Sequence, residues 1–167
     1  MSASRKVFLL ILLLCVAMTA TALTMEHVMG LQPCYLCITQ RVFILLVAAL
    51  ALLAVVHDPG GGGHRVYSGL VGAAALGGSF FSGKQLWLQS LPEDQVPACG
   101  PPADYLFEVL DFSEALSMLL QGDGNCAEVQ WTLLGISIPG WTLLGFVVLV
   151  IMALALWLDK LPPGLRN

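Results

Sequence analysis

The chain has 167 residues, of which 57% are hydrophobic and only 11% are charged, and its formal net charge is −4. Soluble domains usually carry about 25% charged residues, so this composition excludes an ordinary soluble domain and indicates an integral membrane protein. We expect one all-α membrane domain over residues 1–167, with no second domain and no nucleic-acid partner.

Four stretches contain the roughly 20 apolar residues that a helix needs to cross a bilayer. They are residues 7–25, 36–56, 66–88 and 139–158, and they predict a four-helix transmembrane bundle. The first stretch also has features of a cleaved signal peptide, because Arg5 and Lys6 precede an apolar core that ends in Ala20-Thr21-Ala22. Its apolar character continues through Met25, which favours an uncleaved span.

The distribution of charge predicts the topology. Five basic residues fall on the two termini and on the second connection, namely Arg5, Lys6, Arg65, Lys160 and Arg166. The third connection has no Lys or Arg over residues 91–130 and carries eight acids, namely Glu93, Asp94, Asp104, Glu108, Asp111, Glu114, Asp123 and Glu128. By the positive-inside rule, residues 1–6, 57–65 and 159–167 are predicted to be cytoplasmic, and residues 26–35 and 89–138 lie outside.

The third apolar stretch is rich in small residues. Gly69, Ala73 and Gly77 recur every four residues, and this spacing predicts a helix face that a neighbouring backbone approaches closely. Lys84 lies near the outer end of this stretch, where we expect its ammonium group to reach the lipid headgroups.

The long outer connection contains a predicted amphipathic helix that ends at Gly122. Its acidic residues Asp104, Glu108 and Asp111 share one helical face. The opposite face is apolar and consists of Leu106, Val109, Leu110, Leu116 and Leu120. We expect this helix to lie flat on the membrane surface.

Four of the five cysteines lie on the outer side or at its membrane edge. Cys34 and Cys37 form a C-x-x-C motif, which suits either metal binding or reversible disulfide chemistry. A structural zinc site is disfavoured because Cys99 and Cys126 are far apart in sequence and lack histidines at ligand spacing. Inert disulfides remain an alternative, although a bridge across two residues removes little chain entropy.

Arg41 is the notable neighbour of the C-x-x-C motif. It follows Cys37 by four residues, so on a helix that begins near Cys34 the two side chains share one face. Placing an arginine inside a membrane segment costs free energy, so such a residue usually marks a functional site. Both this cation and the helix N-terminus favour a thiolate at Cys37. Cys15 lies within the first apolar stretch and is expected to act as a small buried hydrophobe.

Two stretches of the sequence resemble the bacterial DsbB family. They are EHVMGLQPCYLCITQRV (residues 26–42) and GDGNCAEVQWTLLGISIPGW (residues 122–141), and the four apolar segments and two outward cysteine pairs agree with them. Members of that family are inner-membrane, quinone-dependent oxidases that regenerate the periplasmic disulfide donor DsbA. The resemblance implies a thiol oxidoreductase of the bacterial inner membrane, with ubiquinone or menaquinone as cofactor and a DsbA-type, thioredoxin-like partner.

The resemblance also implies a role for each site residue. Cys99 and Cys126, the loop pair, would be the disulfide that the partner's thiolate attacks at Cys99. Cys34 and Cys37, the span-edge pair, would receive the electrons through Cys34, and Cys37 as a thiolate would face the quinone. Arg41 would hold the quinone and stabilise negative charge on it.

The sequence departs from the family pattern at two places. Gln40 stands where a glutamate is expected, and Gln89-Ser90 stands where a histidine is expected. Both departures concern the quinone pocket and not the cysteine relay.

Two alternatives remain. A protein of the vitamin K epoxide reductase type also has four helices and a C-x-x-C, but its redox pair lies near the last span. A non-enzymatic tetraspan protein with structural disulfides has no use for Arg41 beside that motif.

Overall fold

The computed structural model describes residues 2–60, 62–101, 105 and 110–159. Within them, the helices are α1 (Ala3–His27), α2 (Tyr35–His57), α3 (Gly63–Gln89), α4 (Phe112–Gln121) and α5 (Ile138–Trp157). Two 3-10 turns cover Glu93–Gln95 and Gly124–Cys126, and the short strands β1 (Thr132–Leu133) and β2 (Ile136–Ser137) pair antiparallel. The predictions made for Asp104, Leu106, Glu108, Val109 and residues 160–167 lie outside the described residues.

Three helices, α1, α2 and α5, are long and apolar enough to cross a membrane by length and composition. This confirms the prediction of an all-helical membrane protein. Helix α3 is 27 residues long, but it carries His64, Arg65, Lys84 and Gln85 among many glycines and serines, which lowers its hydropathy. The fourth crossing therefore stays a prediction.

The long helices pack side by side around one apolar core. Helix α3 lies against α5 and α2, and α1 lies against α2 and, over a smaller area, α5. The largest fully buried side chains of this core are Phe8, Ile11, Val47, Val71, Phe146, Leu149 and Leu156. Because lipid is as apolar as these side chains, close van der Waals packing rather than water exclusion holds such helices together.

Two adjacent glycines of α3 receive aromatic rings from its neighbours. A Cβ on Gly78 would overlap the ring of Phe146 of α5, and one on Gly77 would overlap the ring of Phe43 of α2. The prediction of a small-residue face was right for Gly77. It was wrong for Gly69 and Ala73, which are exposed, because the inward face is offset by one residue from the stripe chosen in the sequence.

The ends of α3 and α5 that lie far from the C-x-x-C motif are joined by charge. At the start of α3, Arg65 and His64 bind the carboxyl group of Asp159, which follows α5, at 2.6 Å and 2.8 Å. The hydrogen bond from Arg65, followed by that from His64, holds the pKa of Asp159 below its ordinary value.

Helix α4 ends at Gly122, as predicted, and begins at Phe112 with Asp111 as its N-cap. Ala115 and Leu119 are buried against the start of α2. A buried hydrogen bond of 3.1 Å from Thr39 Oγ1 of α2 to the Leu119 carbonyl fixes this contact. The helix is therefore docked on the helix bundle through one of its faces.

A second face of α4 points outward and is also apolar. Phe112, Leu116 and Leu120, spaced four residues apart, are exposed. Placement of this face on the membrane surface stays a prediction. Lys84 differs from its prediction, since its Nζ donates to the Leu120 carbonyl at 3.0 Å and so binds the negative end of the α4 dipole.

Candidate functional site

The span-edge pair is built by the first turn of α2. Cys34 is the N-cap and Cys37 is the third helical residue, so both side chains leave the helix on the same side. The Cys34 thiol donates to Cys37 Sγ over 2.9 Å. Cys34 is buried and Cys37 is partly buried. The two sulfurs thus lie next to each other at the positive end of a helix dipole.

A glutamine that the sequence analysis did not select touches both sulfurs. Gln85 Nε2, on α3, lies 3.2 Å from Cys34 Sγ and 3.3 Å from Cys37 Sγ. The amide of Gln40 donates to Gln85 Oε1 at 2.7 Å. An uncharged polar side chain within a predicted membrane span was the signal that could have identified Gln85.

Arg41 is held by α1. Its guanidinium forms an ion pair with the Glu26 carboxylate and also donates to the Ala22 carbonyl at 3.3 Å. Both side chains of the ion pair are about one quarter exposed, at 26% and 25%. The sequence predicted that Arg41 lies on the same side of α2 as Cys37, and both residues line one cavity. Glu26 was not anticipated as its partner.

The loop pair is organised by a buried acid. The Asp123 carboxylate, 5% exposed, accepts hydrogen bonds from the Gly100 N–H at 3.0 Å, from Asn125 and from the Cys126 thiol at 3.3 Å. Gly100 directly follows Cys99, so one carboxylate joins the segments that carry the two cysteines. Cys126 is fully buried, whereas Cys99 is exposed.

The two pairs meet at Cys34 and Cys126. Both side chains belong to one buried cluster, with Tyr35 and Leu36 of α2 and Leu88 of α3, and the Cys34 thiol interacts with those of both Cys37 and Cys126. Cys99 Sγ lies beside Gly124, two residues before Cys126. All five cysteines are thiols in this structure. The fold therefore gathers the four cysteines singled out in the sequence and leaves Cys15 in the core, as expected.

A cavity of about 380 Å³ opens beside the span-edge pair. Its volume falls within the range of roughly 300–1,000 Å³ that is common for small-molecule sites. Helices α1, α2, α3 and α5 and the segment before β1 form its walls, which include Glu26, Cys37, Arg41, Gln85, Trp131 and Trp141. The cavity thus combines apolar and aromatic walls with a cation and a thiol.

The β1–β2 hairpin borders this cavity and was not predicted. Its turn places Leu134 and Gly135 at φ 55° and 78°, a pair of left-handed residues that the right-handed twist of a hairpin favours. The Trp141 indole donates to the Leu133 carbonyl at 3.2 Å, which ties the hairpin to α5. Leucine in the first turn position gives none of the Asn-Gly signal by which such turns are recognised.

Comparison with known proteins identifies relatives along nearly the whole chain. A family model described as "Disulfide bond formation protein DsbB" matches residues 4–156. A disulfide bond formation protein B from Marinobacter nauticus is 50% identical, over 96% of this chain and 95% of that protein. A relative of the same name from Saccharophagus degradans is 46% identical, over 92% of this chain and 91% of that protein.

A third relative, disulfide bond formation protein B 1 from Pseudomonas aeruginosa, is 46% identical, over 88% of this chain and 90% of that protein. The residues that the family model matches include both cysteine pairs and nearly all of α1, α2, α3 and α5. The chain belongs to the DsbB family of disulfide bond formation proteins.

Proposed function

We propose that this protein is a membrane thiol oxidase that reoxidises a periplasmic, thioredoxin-like disulfide donor of the DsbA type. The electrons pass through the loop pair and the span-edge pair to a membrane quinone, either ubiquinone or menaquinone. One observation carries the proposal: Cys126 of the loop pair lies against Cys34 of the span-edge pair, and Cys37 and Arg41 line the adjoining cavity.

The first half of the relay oxidises the partner. A thiolate of the reduced partner attacks Cys99 Sγ of the Cys99–Cys126 disulfide, and Cys126 leaves as a thiolate. The second thiol of the partner then displaces Cys99, so the partner becomes a disulfide and the loop pair becomes a dithiol. Exposure of Cys99 suits it to be the attacked sulfur, because attack requires access.

The second half restores the loop disulfide. Cys126 attacks Cys34 of the oxidised span-edge pair, Cys37 leaves as a thiolate, and Cys99 then displaces Cys34 from Cys126. Two electrons and the corresponding protons now reside on Cys34 and Cys37. The helix N-terminus favours the thiolate form of Cys37, which makes it the better leaving group.

The cavity suits a quinone ring in size and in chemistry. Its walls are largely apolar, and a guanidinium and a sulfur face it. A bound quinone supplies the oxidant, since it takes up two electrons and two protons as it becomes a quinol. We assign Arg41 to binding this ring and stabilising negative charge on it, and Cys37 to facing it as a thiolate.

The family and the charge distribution together support an inner-membrane, multi-pass location with four spans. Both termini are then cytoplasmic, and the four relay cysteines are at the periplasmic side. The DsbB family assignment favours this thiol oxidase over the vitamin K epoxide reductase type and over a non-enzymatic tetraspan protein.

The proposal is tested with purified protein, a reduced periplasmic dithiol protein and added quinone, whose absorbance reports its reduction. Replacing Cys34, Cys37, Cys99 or Cys126 by serine should each stop quinone reduction driven by the partner, whereas Cys15→Ala should retain it. Undiminished quinone reduction by Cys37→Ser would overturn the proposal.

The role of Arg41 has a separate test. Arg41→Ala should leave both disulfides able to form while raising the quinone KM. Because this change leaves Glu26 unpaired, a double variant with Glu26→Gln shows whether the loss comes from the missing guanidinium. Lys84→Met, which removes the other cation near this end of the bundle, is the matched control. An unchanged quinone KM in both Arg41 variants would remove Arg41 from the pocket.

A further inference from the structure

Gln85 of α3 reaches both sulfurs of the span-edge pair. It is 3% exposed, and its amide nitrogen is within hydrogen-bonding distance of both Cys34 and Cys37. Arg41, in contrast, uses its guanidinium to bind Glu26 and the Ala22 carbonyl. Besides the Cys126 thiol, which meets Cys34, an uncharged amide on α3 therefore makes the direct polar contact to the span-edge pair.

Gln40 sets the direction in which that amide faces. Its own side chain is 3% exposed, and its Nε2 donates to Gln85 Oε1 at 2.7 Å. A glutamine amide has one accepting oxygen and one donating NH₂ group. Since Gln40 binds the oxygen, the NH₂ group of Gln85 is directed at the sulfurs.

The hydrogen bonds around the pair distinguish its two members. Gln85 Nε2 donates to both sulfurs, at 3.3 Å to Cys37 and 3.2 Å to Cys34, and Cys37 Sγ also lies 3.7 Å from Gln85 Oε1. The Cys34 thiol donates a hydrogen bond to Cys37 Sγ in addition, so Cys37 accepts from two groups and the difference between the two sulfurs comes from this thiol. Hydrogen bonds donated to a charged group favour its charged form. They are stronger in a buried site than in water. This arrangement favours a negative charge on Cys37 and a proton on Cys34.

We propose that Gln85, oriented by Gln40, is a catalytic residue that stabilises the Cys37 thiolate. The proposal rests on the assignment of Cys34 and Cys37 as the redox pair. It also gives a role to Gln40, one of the two departures from the family pattern: an amide there can donate to Gln85, whereas a carboxylate can only accept.

The test measures thiolate directly and uses no quinone. In the full chain with Cys34, Cys99 and Cys126 replaced by serine, Cys37 is the accessible thiol, and the hydroxyl introduced by Cys34→Ser still donates to it. The rate of alkylation by iodoacetamide is recorded from pH 5 to pH 10, roughly spanning thiol ionisation. Gln85→Met, of similar size, should lower the rate at pH 7 about tenfold and displace the rate–pH profile about one unit to higher pH.

A second variant tests the orienting role. Gln40→Glu keeps the size of the side chain, but a carboxylate can only accept hydrogen bonds. The NH₂ group of Gln85 therefore turns towards this carboxylate, and the Gln85 oxygen faces the sulfurs. Alkylation should slow about as much as in Gln85→Met, and the double variant should slow it little further. Ser82→Ala is the matched control. Ser82 is buried and lies almost one turn before Gln85 on α3, but its hydroxyl donates to the Gly78 carbonyl of its own helix at 2.9 Å, so the alkylation rate should stay unchanged.

The outcomes separate this proposal from the proposed function. The reference protein carries the three serine replacements and an intact Gln85. If folded Gln85→Met has the same alkylation profile as this reference, the role of Gln85 is overturned, whatever happens to quinone reduction. If Gln85→Met does not fold, an unchanged profile in Gln40→Glu overturns it instead. If the profile shifts as expected in a protein that reduces no quinone, the result supports Gln85 and contradicts only the proposed function.

Discussion

The two cysteine pairs are held in different ways. The span-edge pair comes from a single helical turn, its sulfurs lie 2.9 Å apart, and Gln85 packs on it from α3. The loop pair comes from two irregular segments that one buried carboxylate, Asp123, holds together. One pair is formed by local helix geometry, and the other depends on a contact between residues distant in the sequence.

This difference suggests which pair tolerates change. Disturbing the loops should leave Cys34 and Cys37 adjacent, because α2 positions them both. The loop pair should lose its geometry when Asp123 or its surroundings are altered. Such independence suits a relay in which one pair meets a soluble partner and the other stays beside the cavity.

The largest effect is expected from Asp123→Ala. The change leaves the Gly100 N–H and the buried Cys126 thiol without their acceptor, at a cost of about 1–3 kcal/mol for each unpaired group. Oxidation of the partner through the loop pair should slow at least about tenfold. Direct oxidation of Cys34 and Cys37 by quinone should not change. Thiol trapping followed by mass spectrometry measures each pair separately.

Asp123→Asn is the graded control for this experiment. Its amide oxygen can still accept from Gly100 and Asn125, while its NH₂ group faces Cys126, so a smaller loss is expected. Equal slowing of both pairs in Asp123→Ala would contradict the independence of the two pairs.

Gly124→Ala should have a somewhat smaller effect on the same pair. The added Cβ would lie 2.5 Å from the Pro97 carbonyl and 3.0 Å from Cys99 Sγ, so the Cys99 segment has to move away. Overpacking of this kind costs about 1–3 kcal/mol. The fraction of protein with a Cys99–Cys126 disulfide should fall at a fixed glutathione ratio.

Gly83→Ala is the control for the glycine substitution. Among the described residues, no tertiary contact lies within 4 Å of the added Cβ, and alanine favours the helix. It should change neither pair. A similar loss of loop disulfide in both glycine variants would argue against a specific clash at Gly124.

Thr39→Val tests whether α4 supports the loops. Valine cannot donate to the Leu119 carbonyl, and the lost bond is worth about 1 kcal/mol. Amide hydrogen exchange in α4 should quicken roughly fivefold, with little effect on the span-edge pair. Unchanged exchange would show that the apolar contacts of Ala115 and Leu119 alone hold the helix.

Asp159→Asn should have the smallest effect, because it lies at the other end of the bundle. Arg65 and His64 lower the pKa of Asp159, so its contribution to stability is present above the ordinary aspartate pKa of about 3.9 and is lost as the pH falls through the lower folded value. The variant should melt at a slightly lower temperature at pH 6, and the difference should vanish in acid. Both cysteine pairs should react as before. A change in either pair would contradict the view that each depends on contacts in its own surroundings.

Much of the span-edge site was predictable from the sequence. An apolar run that follows Pro33 defines the start of α2, and helical spacing then places Cys34, Cys37 and Arg41 on one side. The contacts to Gln85 and Glu26 were not predictable, because they depend on which faces of α1 and α3 turn towards α2. Helix rotation of this kind follows from packing, as the exposed Gly69 and Ala73 also illustrate.

The loops were less predictable. The end of α4 at Gly122 followed from a residue that readily adopts positive φ, observed at 75°. The sequence did not predict the carboxylate that joins the two loop segments, since Asp123 and Gly100 are separated by 23 residues and no periodic pattern links them. In the sequence, Asp123 was one of eight acids counted for topology.

The hairpin beside the cavity has a mechanical consequence. Cys126 and the cavity wall at Trp131 and Leu133 belong to one short stretch of backbone, and the Trp141 indole anchors that stretch to α5. A displacement of Cys126 would therefore reach the cavity wall through only a few residues of backbone. The cysteine that packs against Cys34 and one wall of the cavity are thus parts of the same segment of polypeptide.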